Sequence, residues 1–253
     1  MLSEERLRAI LQILHKDGRV LVGGLAKRLH TSLITIRKDL EHLHQHGQLQ
    51  RTHGGALPIS AGVTKDSSLR EKEQWRQDEK RRIARAAAQM IQLGQVIILD
   101  SGTTTTAIAR ACREIRNLSI ITNATNIAAE LSDAAFDVIL TGGTLRKNSL
   151  SLIGPFAEES LRKLSADLLF LAVHGFDVSY GLTAPNLLEA RVNRVVAEAA
   201  RLTIVVCDSS KFGRRNMSLI LPTSAVHETI TDKGIAKTDL RLLRKANVEV
   251  TTV

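Results

Sequence analysis

The chain has 253 residues, 43% hydrophobic and 24% charged, long enough for a sizeable core and for two domains. Aromatic residues make up only 3%, so the core must be aliphatic, and RNA or single-strand binding on aromatic stacking platforms is disfavoured. The net charge of +9 sits mostly near the N-terminus: residues 1–57 carry nine Lys/Arg against five Asp/Glu, 58–85 eight against five, and the remaining 168 eighteen against sixteen, which places a polyanion partner at that end.

Six of the eight histidines fall in the first 57 residues, none at a metal-ligand spacing, and no metal or other cofactor is implied. Cys112 and Cys207 lie far apart and read as buried, reduced thiols. Glu4, Glu5, Arg6 and Arg8 interrupt any apolar run at the start, so no signal peptide is read. No apolar stretch nears the roughly 20 residues of a membrane span. The expectation is a cytoplasmic protein with no membrane partner.

In chain order, Leu7, Ile10, Leu11 and Leu14 give a first amphipathic helix, ended by Asp17-Gly18. Val20-Leu21-Val22 is short and extended. Leu25, Ala26 and Leu29 mark a second helix, and His30-Thr31 the turn before a third. In that third helix Leu33, Ile36, Leu40 and Leu43 form one apolar stripe, which leaves Thr35, Arg37, Lys38 and Asp39 pointing outward. Ser32 is placed to cap it, its hydroxyl accepting a backbone N–H that the first turn leaves unpaired. Gly47 stops the helix. Two short helices and a tight turn match the helix-turn-helix layout, in which the second helix enters the major groove. Gln48–Arg51 and Ala56–Ile59 pair as a hairpin around Thr52–Gly55, a wing with Arg51 and His53 at its tip or edge for backbone or minor-groove contact. A protein-interaction module with a solvated basic face fits the same pattern.

The segments Glu5-Arg6, Leu25-Ala26, Thr35-Ile36-Arg37-Lys38-Asp39-Leu40 and Arg51-Thr52-His53-Gly54-Gly55-Ala56 resemble the N-terminal signature of DeoR-family bacterial repressors. The resemblance implies that Thr35–Leu40 belongs to the recognition helix of a winged helix-turn-helix binding double-stranded operator DNA. Lys38 stands where the family more often has a second Arg. Lys keeps the charge without the bidentate fork, which assigns Arg37 to a base and Lys38 to a phosphate.

Domain one is expected over 1–58, a linker over 59–78 and a second domain over 79–253. Pro58 and Gly62 lie in a linker without periodicity, and a charged helix is expected from about Leu69 to Gln92, with Lys80, Arg81 and Arg82 on a solvated face. From Gln95, β-rich runs (Val96–Asp100, Leu118–Thr122, Phe136–Thr141, Leu168–Val173, Thr203–Asp208, Glu228–Thr231, Val248–Thr251) alternate with helical stretches. Such alternation predicts an α/β domain with a largely parallel sheet.

Ligands of open α/β sheets bind beyond the carboxyl ends of the strands. Four of those ends carry polar or Gly-rich loops: Ser101-Gly102-Thr103-Thr104-Thr105 leading into a helix, Gly142-Gly143 with Arg146 near, His174 to Asp177, and Asp208 to Lys211. Small hydroxyl residues and a Gly at a helix start suit a phosphate. A Gly after a strand is also an ordinary turn, Arg146 and Glu189 also read as surface charges, and Lys211 as an ion-pair partner of Asp208. Neither a Walker A sequence nor G-x-G-x-x-G is present, which disfavours nucleotides.

This half resembles the DeoR-family sensor domain through LDSGTTTTAIA (Leu99–Ala109), ITNATNIAAEL (Ile121–Leu131), LTGGTLR (Leu140–Arg146), Gly154-Pro155, HGFD (His174–Asp177), Glu189 with Asn193-Arg194, and DSSKFGR (Asp208–Arg214). The resemblance implies a Rossmann-like α/β domain similar in fold to sugar-phosphate isomerases and CoA transferases. It also implies a repressor of a carbohydrate-catabolic operon, of the amino-sugar type, released by a phosphorylated sugar. Phosphate would sit on Ser101–Thr105 with Lys211 and Arg146 as cations; Asp177 and Glu189 would accept from sugar hydroxyls. The alternative is a sugar-phosphate isomerase or transferase with an appended DNA-binding domain, using Asp177, Glu189 and Lys211 as acid and base. A helix-turn-helix has no role in a metabolic enzyme, which favours the repressor. One recognition helix contacts few base pairs, so a homodimer or homotetramer is expected.

Overall fold

The computed structural model describes residues 3–17, 19–46, 48–52, 54–57 and 66–253, and the chain divides into two compact units, 1–64 and 65–253. Gly18, Gly47, His53 and Pro58–Lys65 lie outside the described residues. The expected helix stops at Gly18 and Gly47, the wing contact at His53 and much of the expected linker fall there.

In the first unit α1 (Ser3–Asp17), β1 (Val20–Leu21), α2 (Val22–Arg28) and α3 (Leu33–Gln45) precede a hairpin of β2 (Gln50–Thr52) and β3 (Gly55–Leu57). Arg51 pairs with Ala56 and Thr52 with Gly55, and β1 adds to the other edge of β3, Val20 opposite Ala56. Ile10, Leu14, Leu25, Ile36, Leu40, Leu43 and Leu49 form an aliphatic core. The Ser32 hydroxyl caps α3 by accepting the Thr35 N–H at 3.0 Å.

The outward face of α3 differs from the expected one at two positions. Asp39 is buried, because Arg6 of α1 grips both its carboxylate oxygens at 2.5 and 3.0 Å, so the pair ties α1 to α3. Leu33 is 48% exposed: it precedes the turn where α3 meets the core, which begins at Ile36.

The second unit runs α4 (Leu69–Glu73), α5 (Gln77–Gln89), β4 (Val96–Leu99), α6 (Thr103–Cys112), β5 (Ser119–Thr122), α7 (Thr125–Glu130), β6 (Asp137–Leu140), β7 (Thr144–Arg146), β8 (Ser151–Ile153), α8 (Pro155–Arg162), β9 (Ala166–Leu171), β10 (Gly175–Asp177), β11 (Gly181–Ala184), α9 (Leu187–Glu198), β12 (Ala200–Val206), β13 (Ser218–Leu221), β14 (Glu228–Thr231), α10 (Lys237–Lys245) and β15 (Glu249–Thr252). Among the described residues seven strands make one parallel sheet in the order β15-β14-β12-β9-β4-β5-β6. Alternate strand residues feed two cores. Ile97, Leu99, Phe170 and Val206 pack towards α5, α6 and α7, while Ile98, Leu169, Leu171 and Val205 pack towards α8 and α9.

The single charged helix expected over 69–92 is broken. A capping box starts α4, Ser68 and Glu71 bonding reciprocally. Arg76 then takes a left-handed conformation, φ 49°, so α5 begins on a new axis. The residues from Asp66 onwards pack with the second unit: Leu69 N–H donates to the Asn148 carbonyl and the Asn148 amide to that of Asp66, both at 2.8 Å.

Because Arg6 and Asp39 are paired in a setting largely shielded from water, we expect Asp39→Ala to destabilise the first unit by about 2 kcal/mol. Amide exchange of α1 and α3 in the full chain measures it; wild-type protection in the variant would remove the pair from the account.

Candidate functional site

The strand order reverses between β4 and β9: β5 and β6 extend one way from β4, and β12, β14 and β15 the other way from β9. Loops leaving a sheet at such a point diverge and open a crevice at the carboxyl ends. Here those loops are Asp100–Gly102 and Ala172–His174. Gly102 comes so close to Ala172 that a Cβ on it would meet the Ala172 Cβ at 2.7 Å. No side chain caps α6, so the backbone N–H groups of its first turn stay open beside Gly102.

Ser101, Gly102 and Thr103 are half-buried at this opening. Thr104 and Thr105, expected beside them, are buried. The Thr105 hydroxyl donates to the Gly102 carbonyl at 3.0 Å, so this side chain serves the helix underneath. Gly142 and Gly143 are exposed past β6; Gly143 has φ +132° and a Cβ there would meet the Ile153 carbonyl at 2.8 Å, so it needs glycine.

His174 accepts a hydrogen bond from Lys72 Nζ at 2.8 Å. Burial, then Lys72, Lys211 and Arg146, push its pKa well below the usual range, so it is neutral with Nε2 as acceptor. Burial also lowers Lys72 to about 8, with Lys211 adding to the effect. Lys80, expected on a solvated face, is buried; its ammonium donates to the Lys72 carbonyl, and burial lowers it to about 8. Arg81 and Arg82 beside it are exposed. Sequence reasoning missed Lys72, Arg76 and Lys80 because the break at Arg76, which turns them onto the sheet's edge, leaves no trace in helical periodicity.

Across β12 the chain makes Asp208-Ser209-Ser210-Lys211. Asp208 accepts from Ser210 N–H at 3.0 Å and from its hydroxyl at 2.5 Å, and lies 3.4 Å from Arg76 Nε. Burial opposes its ionisation, yet Lys211, Ser210, Arg76 and Lys80 hold the carboxyl below the ordinary range. Burial lowers Lys211 as well, against the field of Asp208. Lys211 therefore shares Asp208 with Arg76 and Lys80.

On the other side of the crevice Arg146 bridges Asp66 and Glu189, the latter at 3.4 Å. Glu189 is buried, not a surface residue of α9. Its Oε2 has no hydrogen-bond partner among the described residues, and neither have Asn123 Oδ1 after β5 or Thr141 Oγ1 after β6. Asp100 is buried beside the Asn193 amide, and burial raises its pKa well above the usual range. A cleft of about 190 Å³ lined by Gln77, Lys80, Thr103 and Arg110 leads to the first turn of α6.

Asp177 does not join this group. It lies at the end of β10 with Arg215 Nε at 2.7 Å and the Ser179 hydroxyl at 2.6 Å, so it closes a hairpin instead of facing the crevice.

In the first unit Arg37 and Lys38 are exposed on α3, and Ser32 and Thr35 hold its start. Arg51 does not stand free on the wing: Glu41 of α3 accepts from it at 2.6 Å, which fixes the hairpin against the helix. Among the described residues no group of three or more His, Cys, Asp or Glu could hold a metal ion, and no helix is long and apolar enough to cross a membrane.

The depressed values of Lys72 and Lys80 give a stability prediction. Between about pH 8 and the unfolded value of 10.5 the unfolded chain binds more protons at these lysines, so stability rises with pH. We expect the urea midpoint of wild type to gain on that of Lys72→Met/Lys80→Met between pH 7.5 and 10; a constant difference would contradict it.

Comparison with known proteins agrees with both halves. Residues 6–61 match the DeoR-like helix-turn-helix domain and residues 75–233 the DeoR C terminal sensor domain. A protein of Escherichia coli O157:H7 named "Putative aga operon transcriptional repressor" is 40% identical, over 99% of this chain and 94% of its own. The glycerol-3-phosphate regulon repressor of Escherichia coli K12 is 32% identical over 92% of each. Ribose 5-phosphate isomerase A from Neisseria gonorrhoeae is similar to 54% of this chain and 53% of its own, with TM-score 0.41 and 13% identity. The chain belongs to the DeoR family of DNA-binding transcriptional repressors and is a regulator, not an enzyme.

Proposed function

We propose that this repressor controls a carbohydrate-catabolic operon and leaves its operator when a phosphorylated sugar fills the crevice between β4 and β9. One observation carries the reading: Lys72, Lys211 and Arg146 all bear on the neutral His174 beside the open first turn of α6. Like charges held together out of water repel, and a dianion placed among them relieves that repulsion. A phosphate on Ser101, Gly102 and Thr103 accepts from backbone N–H groups while Lys72 and Lys211 supply charge. Glu189, Asn123 and Thr141 then offer unpaired oxygens to sugar hydroxyls. The relative named for glycerol-3-phosphate supports a small phosphorylated polyol as the class.

Release follows from the position of Arg146. It holds Asp66, at the start of the described part of the second unit, and an incoming phosphate competes for the same guanidinium. Freed from Arg146, Asp66 changes its hold on the sensor. On DNA, Arg37 contacts a base and Lys38 a phosphate. The repressor acts as a cytoplasmic homodimer or homotetramer, because paired half-sites need paired recognition helices.

A thermal-shift screen of sugar phosphates against the parent sugars tests the site, since a ligand that binds only the folded state raises the melting temperature. We expect phosphorylated sugars alone to shift it, and Lys211→Ala to abolish the shift with DNA affinity unchanged. A shift retained in that variant would remove Lys211 from the site. Affinity should peak between about pH 6, where the phosphate becomes a dianion, and about 8, where Lys72 and Lys80 lose their protons. Isothermal titration from pH 5.5 to 9.5 measures this, and a flat profile would exclude those lysines.

A further inference from the structure

The first turn of α3 presents two large apolar side chains to solvent: Leu33 is 48% exposed and Ile34 65%. They are not needed to hold the helix. Ser32 caps it, and Ile36, Leu40 and Leu43 supply its buried face. At 3.6 residues per turn, Leu33, Arg37, Ile34 and Lys38 follow one another around about 140° of the helix. Asp39, Ile36, Leu40 and Leu43 occupy the opposite arc, where they are buried. The exposed arc is therefore a single face, apolar at its N-terminal end and cationic one turn later.

The N-terminal residues of a recognition helix reach furthest into the major groove. The main apolar feature on that groove's floor is the C5-methyl group of thymine. We propose that Leu33 and Ile34 read thymine methyl groups next to the base contacted by Arg37, so part of the operator's specificity is apolar. The two cations of the same arc complement the duplex and bring these side chains to it. This proposal rests on DNA binding through α3 and adds the class of base that the helix selects.

The probe is a duplex enriched by the full-length chain from a random-sequence pool, with each thymine replaced singly by deoxyuridine. That exchange removes one methyl group and leaves the pairing edge unchanged. Burying one methyl-sized group gives about a fourfold effect on affinity. We expect wild type to lose about fourfold at one or two thymines of each half-site. Ile34→Ala and Leu33→Ala should bind the parent duplex more weakly and lose that uridine penalty, each at its own thymine, while Ile34→Val keeps part of it. Both positions are exposed, and unchanged melting temperatures would show that the variants fold. If every uridine probe binds like the parent, or if both alanine variants keep the full penalty, the proposal is overturned. A pool with no enriched duplex would instead overturn DNA binding itself, and this proposal with it.

Discussion

The sensor unit depends on holding several cations together at the carboxyl edge of a parallel sheet. Ammonium groups lose hydration there, and Lys72 and Lys80 answer by titrating near pH 8. The arrangement stands because carboxylates are interleaved with the cations: Asp208 among Lys211, Arg76 and Lys80, and Glu189 with Asp66 at Arg146. His174 gives up its proton and becomes the acceptor for Lys72. What results is a crevice lined by cations and their carboxylate partners, built by groups that follow β4, β9 and β12 and by the segment ahead of the sheet.

That last contribution explains what the sequence could and could not disclose. All seven strands of the parallel sheet were legible as β-rich runs, and the central ones, β4, β5, β9 and β12, feed alternate apolar residues into two cores. Ser101, His174 and Lys211 were legible because loops after parallel strands gather at one edge by topology alone. Lys72 and Lys80 were not, for their burial follows from a left-handed residue at Arg76 that splits an otherwise continuous helical pattern. Thr104 and Thr105 were misplaced for a related reason. A hydroxyl in a helix's first turn has a local carbonyl to bond, and Thr105 takes it. Asp177 was drawn in by its place after the Leu168–Val173 run of the parallel sheet, but it ends β10, a strand of a small antiparallel sheet, where Ser179 and Arg215 take its carboxylate.

The DNA-binding unit shows the same division. Its helix-turn-helix and hairpin followed from apolar spacing and from the Ser32 cap. The partners of its charged residues did not: Asp39 is buried against Arg6, and Arg51 is paired with Glu41, each across an element boundary that periodicity cannot see. With those charges committed to structure, Arg37, Lys38, Leu33 and Ile34 remain exposed on α3.

Release of the operator by a sugar phosphate, as proposed above, requires that the crevice and α3 be coupled. Binding to two sites of one molecule is reciprocal: a sugar phosphate that weakens DNA binding must itself bind less tightly when DNA is present, by the same factor. The most direct measurement is the affinity of the full chain for an enriched duplex, by fluorescence anisotropy, with and without a saturating sugar phosphate, together with the converse titration. Equal losses are expected in both directions, on the order of tenfold or more. A sugar phosphate that binds the crevice and leaves DNA affinity unchanged would contradict the coupling.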